Sequence, residues 1–259
     1  FLPQALSFLQ RHTEVAGVGG RVVELNLDSL EYRARNEKPA AHRRTGEVDR
    51  LDGGGLYRRR AIESVGHFSN RNLHSYEEFE LAVRLRLAGW TLWRLAEDAV
   101  THRGHETPPY QLLARRWRNG YVWGLGELLR ASLAHPRQRW LVLQLKETRL
   151  YLGVLAGWLL MAGVAMAPWD WPAKLAGGAL LAGTPLAVMA WRKRSWRRGL
   201  YALTSWNLHA AGLLRGLLRR PKNPAARIDS RVLHEGDASG TPADAGPAPA
   251  SAPATDASS

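Results

Sequence analysis

Three carboxylates, Glu77, Glu78 and Glu80, stand together just after Ser75 and at the head of an apolar stretch that stops at Gly89. A carboxylate kept ionised at the positive end of a helix can accept a proton from a substrate hydroxyl, so this cluster holds the chain's candidate general base. The same residues have a structural reading, because Ser75 and Glu78 fit the S-x-x-E capping-box pattern. Asp52 precedes the run Gly53-Gly54-Gly55, which is either a turn needing positive φ or a bare stretch of backbone that a ligand can approach. His102 and His105 lie beyond an apolar run, where an imidazole is either a surface side chain or a cation ligand, and two histidines alone do not make a metal site. The chain has no cysteine, which excludes thiolate catalysis, disulfides and Cys-ligated zinc.

These residues need elements to hold them. Phe79, Ala82, Val83 and Leu87 recur at helical spacing, which predicts a helix capped by Ser75, with Arg84 and Arg86 on another face and Gly89 as its stop. Val15 to Val23 is a short β-branched run broken by glycines, and Thr91 to Leu95 and Ala99 to Thr101 read as two strand-like pieces leading to His102. Asp49 to Ile62 carries the glycine run into a basic helix start.

The order GVGGR, GGGLYRR-AI-VGHF, an E-E-x-E-L helix closing on RLAGW, and a strand ending in H-x-G-H resembles the second half of a family 2 glycosyltransferase catalytic domain, over roughly Phe1 to Arg118. The resemblance implies part of a GT-A nucleotide-sugar-binding α/β domain that inverts the anomeric carbon by direct displacement. It implies that Glu78 is the base, at the second acidic position of the family's E-D-x-(D/E)-L motif, with Glu77 beside it. Here Glu stands where Asp is usual, and the added methylene moves the carboxylate by about 1 Å, a distance that matters for attack geometry. The loop Asp52 to Gly55 would border the sugar pocket, and His102 would complete the coordination of a divalent cation, Mg or Mn. The D-x-D motif that supplies the other metal ligand in that family has no suitable counterpart in this chain. The chain is therefore expected to start mid-domain, at a segment that normally follows the D-x-D strand, and to be inactive as this piece alone. Arg116-Trp117 is similar to the end of the Q-x-x-R-W motif of processive synthases, but Leu113 occupies the glutamine position, which speaks against processive polymerisation.

After the catalytic-type part, 1–118, the sequence changes character. Residues 119–149 read as interfacial or linker helices, and 150–191 as a transmembrane helical hairpin made of two uncharged runs, Leu150 to Ala167 and Leu175 to Trp191, around a Trp-rimmed turn. Gly153, Gly157, Gly177, Gly178 and Gly183 are expected to let the two helices approach closely. Residues 192–235 form a basic amphipathic segment that lies in the membrane surface or, as the lesser alternative, crosses it; 236–259 is a tail too poor in apolar residues to fold. Lys146 and Arg149 before the hairpin and Arg192, Lys193, Arg194, Arg197 and Arg198 after it place both flanks on the cytoplasmic side of an inner (plasma) membrane, where nucleotide sugars are made. The net charge of +13 calls for an anionic partner. The arginines gather beside the apolar runs and no nucleic-acid-binding motif is present, so lipid and diphosphate substrates fit better than nucleic acid.

The resulting expectation is a membrane-anchored glycosyltransferase that moves a sugar from a nucleotide-sugar donor to a lipid-linked or surface-glycan acceptor. Two rivals need no catalysis: a membrane adaptor with a truncated glycosyltransferase-like domain, and a peripheral protein that binds anionic lipid through Arg192 to Lys222.

Overall fold

A computed structural model describes residues 1–25, 41–103 and 107–224 of the chain. His105, the tail 236–259 and the basic segment beyond residue 224 lie outside the described residues. The N-terminal part is mixed α/β, built on one small sheet with strand order β2-β4-β1-β3. Strand β1 (Val15–Glu24) runs parallel to β4 (Thr91–His102), while β2 (Gly46–Glu47) and β3 (Leu56–Tyr57) are short antiparallel edges. Helix α1 (Leu2–Arg11) lays Ala5 and Leu9 on Val15 and Val18 of β1. On the other side, α2 (Arg59–Ser64) and α3 (Glu77–Leu87) cover Ala16 and Leu92 with Ala61, Leu81, Ala82 and Leu85.

β4 is one continuous strand where two pieces were expected. Its middle, Glu97 and Asp98, is exposed and pairs across irregular register with Gly19 to Val22, so the polar residues at the bulge mask the continuity in the sequence.

α3 departs from the amphipathic helix read from Phe79, Ala82, Val83 and Leu87. It is buried on nearly all sides, because Leu81, Ala82 and Leu85 face the sheet core while Phe79 and Val83 face a second core. Leu87, expected inside, is exposed. The capping box does not form either: the helix starts at Glu77 behind Tyr76, whose φ is 69°, and Ser75 Oγ instead donates to the Tyr121 carbonyl at 2.8 Å.

The second core is helical. α4 (Pro109–Arg118), a 3₁₀ turn at Tyr121–Trp123, α5 (Gly124–Ser132) and α6 (Pro136–Gln144) lead to α7 (Lys146–Met166), α8 (Trp171–Lys193) and α9 (Trp196–Leu218). Leu125, Leu128, Val142, Tyr151, Ala210 and Leu213 are buried together against Phe79 and Val83. α7 and α8 are long and apolar enough to cross a membrane, and most of their surface is uncovered in the chain itself. Of the five glycines expected to bring them together, only Gly177 and Gly178 face the other helix, toward Val164 and Met161; Gly153, Gly157 and Gly183 open onto empty space.

The close helix crossing lies elsewhere. Gly212 and Gly216 of α9, spaced G-x-x-x-G, meet the Val122 and Trp123 carbonyls, and Gly126 of α5 meets the Leu213 carbonyl. A side chain at Gly216 would also press on Glu127 N, 2.8 Å away, so the helices would have to part. Gly216→Val is expected to destabilise the protein by about 1–3 kcal/mol, the usual cost of overpacking, read as a lowered denaturation midpoint in detergent.

Candidate functional site

The polar side chains converge on a cavity of about 270 Å³ between the α/β part and the helical part. One wall comes from the sheet side. Arg94 projects inward from β4 two residues after buried Leu92 and is 1% exposed. Its guanidinium donates to the carbonyls of Gly20 and His42 and, at 2.7 Å, to Asp52 Oδ1. It thereby ties β1, the 3₁₀ turn Ala41–Arg43 and the glycine loop to one point. Asp52 Oδ2 accepts from Arg43 Nε at 2.9 Å and lies 3.5 Å from His42 Nε2. Burial raises the Asp52 pKa, but the hydrogen bond from His42 and the charges of Arg43, His42 and Arg94 outweigh it and hold the carboxyl well below the usual carboxylate range.

Gly53 and Gly54 take φ of 72° and 98°, which explains glycine there as a backbone requirement. Gly55 is confined by Leu51, 2.9 Å from where its Cβ would be. Asp52 lines the cavity; the three glycines shape the turn behind it.

The carboxylate cluster divides into three roles. Glu80 is held by Arg84 through two bonds of 2.8 Å, and Arg84 also donates to the Val65 and His67 carbonyls, so that pair pins α3 to the preceding loop. Glu77 Oε2 is shielded from solvent and has no hydrogen-bond partner among the described residues. Glu78 lines the cavity. Burial, then the charges of Glu77 and Asp52, raise its pKa above the ordinary 4.5, against its own backbone N–H and Arg50. The neighbouring Tyr57 hydroxyl is pushed up to about 12 by burial and by the Glu78 charge.

The loop that delivers α3 is anchored at several points. Asn72 exchanges two hydrogen bonds of 2.7 Å with the Lys222 backbone. His74 donates from its backbone N–H to Glu127 Oε2 at 3.0 Å, its ring Nδ1 lies 3.0 Å from both carboxylate oxygens, and Arg219 donates to Glu127 Oε1 at 2.7 Å. Glu127 is fully buried on α5.

The far wall is made by Tyr121, Leu125, Glu147, Tyr151 and His209. None of these was expected from the sequence, since each belongs to a helix whose pattern reads as packing. Arg94, by contrast, was within reach: an arginine two positions after Leu92 in a strand faces the same way as the core residue. Arg116 and Trp117 are next to the cavity and outside its lining. The Arg116 guanidinium sits 5.3 Å from the Tyr121 ring centre, while Trp117 packs edge-on to Trp123, with Arg215 over both rings.

His102 ends β4 opposite Glu24, outside the cavity lining. Among the described residues no group of three or more His, Asp or Glu side chains gathers to hold a metal ion. The described residues by themselves offer no ready set of ligands for the divalent cation that the family resemblance implies. No protein-family model and no curated protein matches this chain.

Proposed function

We propose that the protein is a membrane-anchored inverting glycosyltransferase in which Glu78 is the general base, acting on a nucleotide-sugar donor and a lipid-linked or glycan acceptor. The observation that carries this reading is the position of Glu78: a carboxylate made more basic by burial and by two neighbouring carboxylates, on the first turn of a helix, facing a cavity with room for about one sugar ring. In the reaction the acceptor O–H gives its proton to Glu78. The oxygen bonds to the anomeric carbon from the face opposite the diphosphate, and the bond from that carbon to the diphosphate oxygen breaks, releasing the nucleotide diphosphate.

The membrane part of the reading rests on α7 and α8, with α9 at the interface. Asn207 of α9 accepts from the Trp158 indole at 2.7 Å, and the exposed Trp169, Trp171, Trp191 and Trp196 mark both ends of the hairpin. The basic residues from Arg192 to Arg198 flank its cytoplasmic end.

The test is transfer from a panel of radiolabelled nucleotide sugars to membrane lipid extracts by the full-length protein in vesicles. Transfer from one donor, with or without added Mg or Mn, supports the reading; absence of both transfer and donor hydrolysis across the panel refutes it.

A pH dependence follows. The base must be ionised, so transfer is lost as pH falls through the Glu78 pKa. Because burial and Glu77 raise that pKa, the acid limb of kcat/KM is expected above the ordinary glutamate value of 4.5. A limb at or below that value would contradict the assignment.

A further inference from the structure

We infer that the cavity takes an uncharged, hydroxyl-bearing sugar headgroup of a membrane glycolipid as acceptor, held by Glu147, Tyr151 and His209, and that it rejects lipid phosphate. The inference rests on the glycosyltransferase reading for its chemistry and goes beyond it by choosing the acceptor class.

The cavity lies beside the apolar helices. Glu147 and Tyr151 occupy the opening turns of α7, and both line the same cavity as Glu78. Past Tyr151 the helix turns apolar and uncovered, with Leu159 and Leu160 largely exposed. The cavity thus lies at the foot of the helix that would enter the bilayer. A headgroup at the membrane surface reaches Glu78 from there without leaving its lipid.

The charge of the lining favours the same ligand. With the Asp52 charge met by Arg43 and Arg94, two further carboxylates, Glu78 and Glu147, line the cavity against one guanidinium, Arg50. Arg50 is itself shared with Asp49 at 3.2 Å. Lys146 Nζ is 3.9 Å from Glu147 Oε1 and points largely into solvent. A phosphate in this space would face an excess of negative charge, whereas sugar hydroxyls are donors that carboxylates accept.

The shape of the walls suits a sugar ring. Tyr151 stacks on His209 with ring centres 5.3 Å apart and planes 25° apart, and His209 Nδ1 donates to the Ser205 carbonyl at 2.8 Å, which fixes the ring's orientation. With Tyr76, Phe79 and Tyr121 these rings give flat apolar walls for the C–H faces of a sugar, and the carboxylates address its edge.

The experiment is photolabelling of the full-length protein in vesicles with octyl β-glucoside carrying a diazirine on the first alkyl carbon, mapped by mass spectrometry. The expected result is labelling of the peptides around Tyr151 and His209 that excess octyl β-glucoside removes and octyl phosphate leaves intact. Glu147→Gln, nearly isosteric, should weaken that competition by about tenfold, the worth of a hydrogen bond to a charged group. Glu147→Lys should let octyl phosphate compete, a gain that misfolding would not produce. Equal competition by octyl phosphate on the unmodified protein, or labelling indifferent to both variants, overturns the inference. Because this readout is binding, it is separable from the parent reading. Specific labelling with no donor consumed in any nucleotide-sugar assay would sink the glycosyltransferase and leave the headgroup site standing.

Discussion

Glu78→Gln is expected to lower the transfer rate by about 10²–10⁴-fold, the range over which a positioned general base contributes. The amide keeps the shape and can still accept a hydrogen bond from the acceptor, so acceptor and donor KM should change little while kcat falls. The acid limb of the pH profile should vanish with it. Glu78→Asp separates charge from reach: it restores the carboxylate that resembles the family's usual residue but withdraws it by about 1 Å, and the rate should fall between the other two. Asp52→Asn gives a different outcome. Asp52 is held ionised by Arg43, Arg94 and His42, so its loss should act first on stability and on the glycine loop. A Glu78→Gln protein that transfers sugar at the unmodified rate would remove Glu78 from the mechanism.

How much of this could be read in the sequence depends on what each residue packs against. The candidate base stood out because carboxylates before an apolar helix are a local pattern. Strands β1 and β4 and the two long apolar helices were likewise visible as local runs, whereas the two-residue edges Gly46–Glu47 and Leu56–Tyr57 were too short to be. What stayed hidden was the partner of each local feature. Phe79 and Val83 lie on one side of α3 and Leu81 and Leu85 on the other, a signature of a helix between two cores that a single-face template reads as one stripe. Ser75 looked like a cap, yet its hydroxyl goes to Tyr121, 46 residues away. The glycines of the apolar runs suggested a close crossing, but contact is decided by which face meets a neighbour, and the true close approach uses Gly212 and Gly216 against α5. Half of the cavity belongs to helices beyond residue 118, so a reading that assigned chemistry to 1–118 and anchoring to the rest could not foresee Glu147, Tyr151 or His209.

That division also determines which distant residue governs the position of the proposed base. Glu127 lies on α5, 49 residues after Glu78 in the chain, and fixes the loop before α3 by accepting from the His74 backbone and from Arg219. It is fully buried, so Glu127→Ala strands the Arg219 guanidinium and the His74 N–H in a site with little water. Breaking a buried pair on one side costs about 3–5 kcal/mol; Arg219 is 37% exposed and can partly rehydrate, which puts the expected loss near the lower end, about 3 kcal/mol. Denaturant titration in detergent reads it. Glu127→Gln keeps both acceptor and shape at one position and should lose less than half as much. The double variant Glu127→Leu with Arg219→Met removes both charges together, and should recover most of the stability lost by Glu127→Ala. It would not recover transfer, because the His74 N–H no longer has its acceptor and the loop that delivers α3 loses that anchor next to Glu78. Stability regained without activity is the pattern that identifies Glu127 as a positioning residue; activity regained together with stability would show that the helical part needs only to be packed, and that the base finds its place unaided.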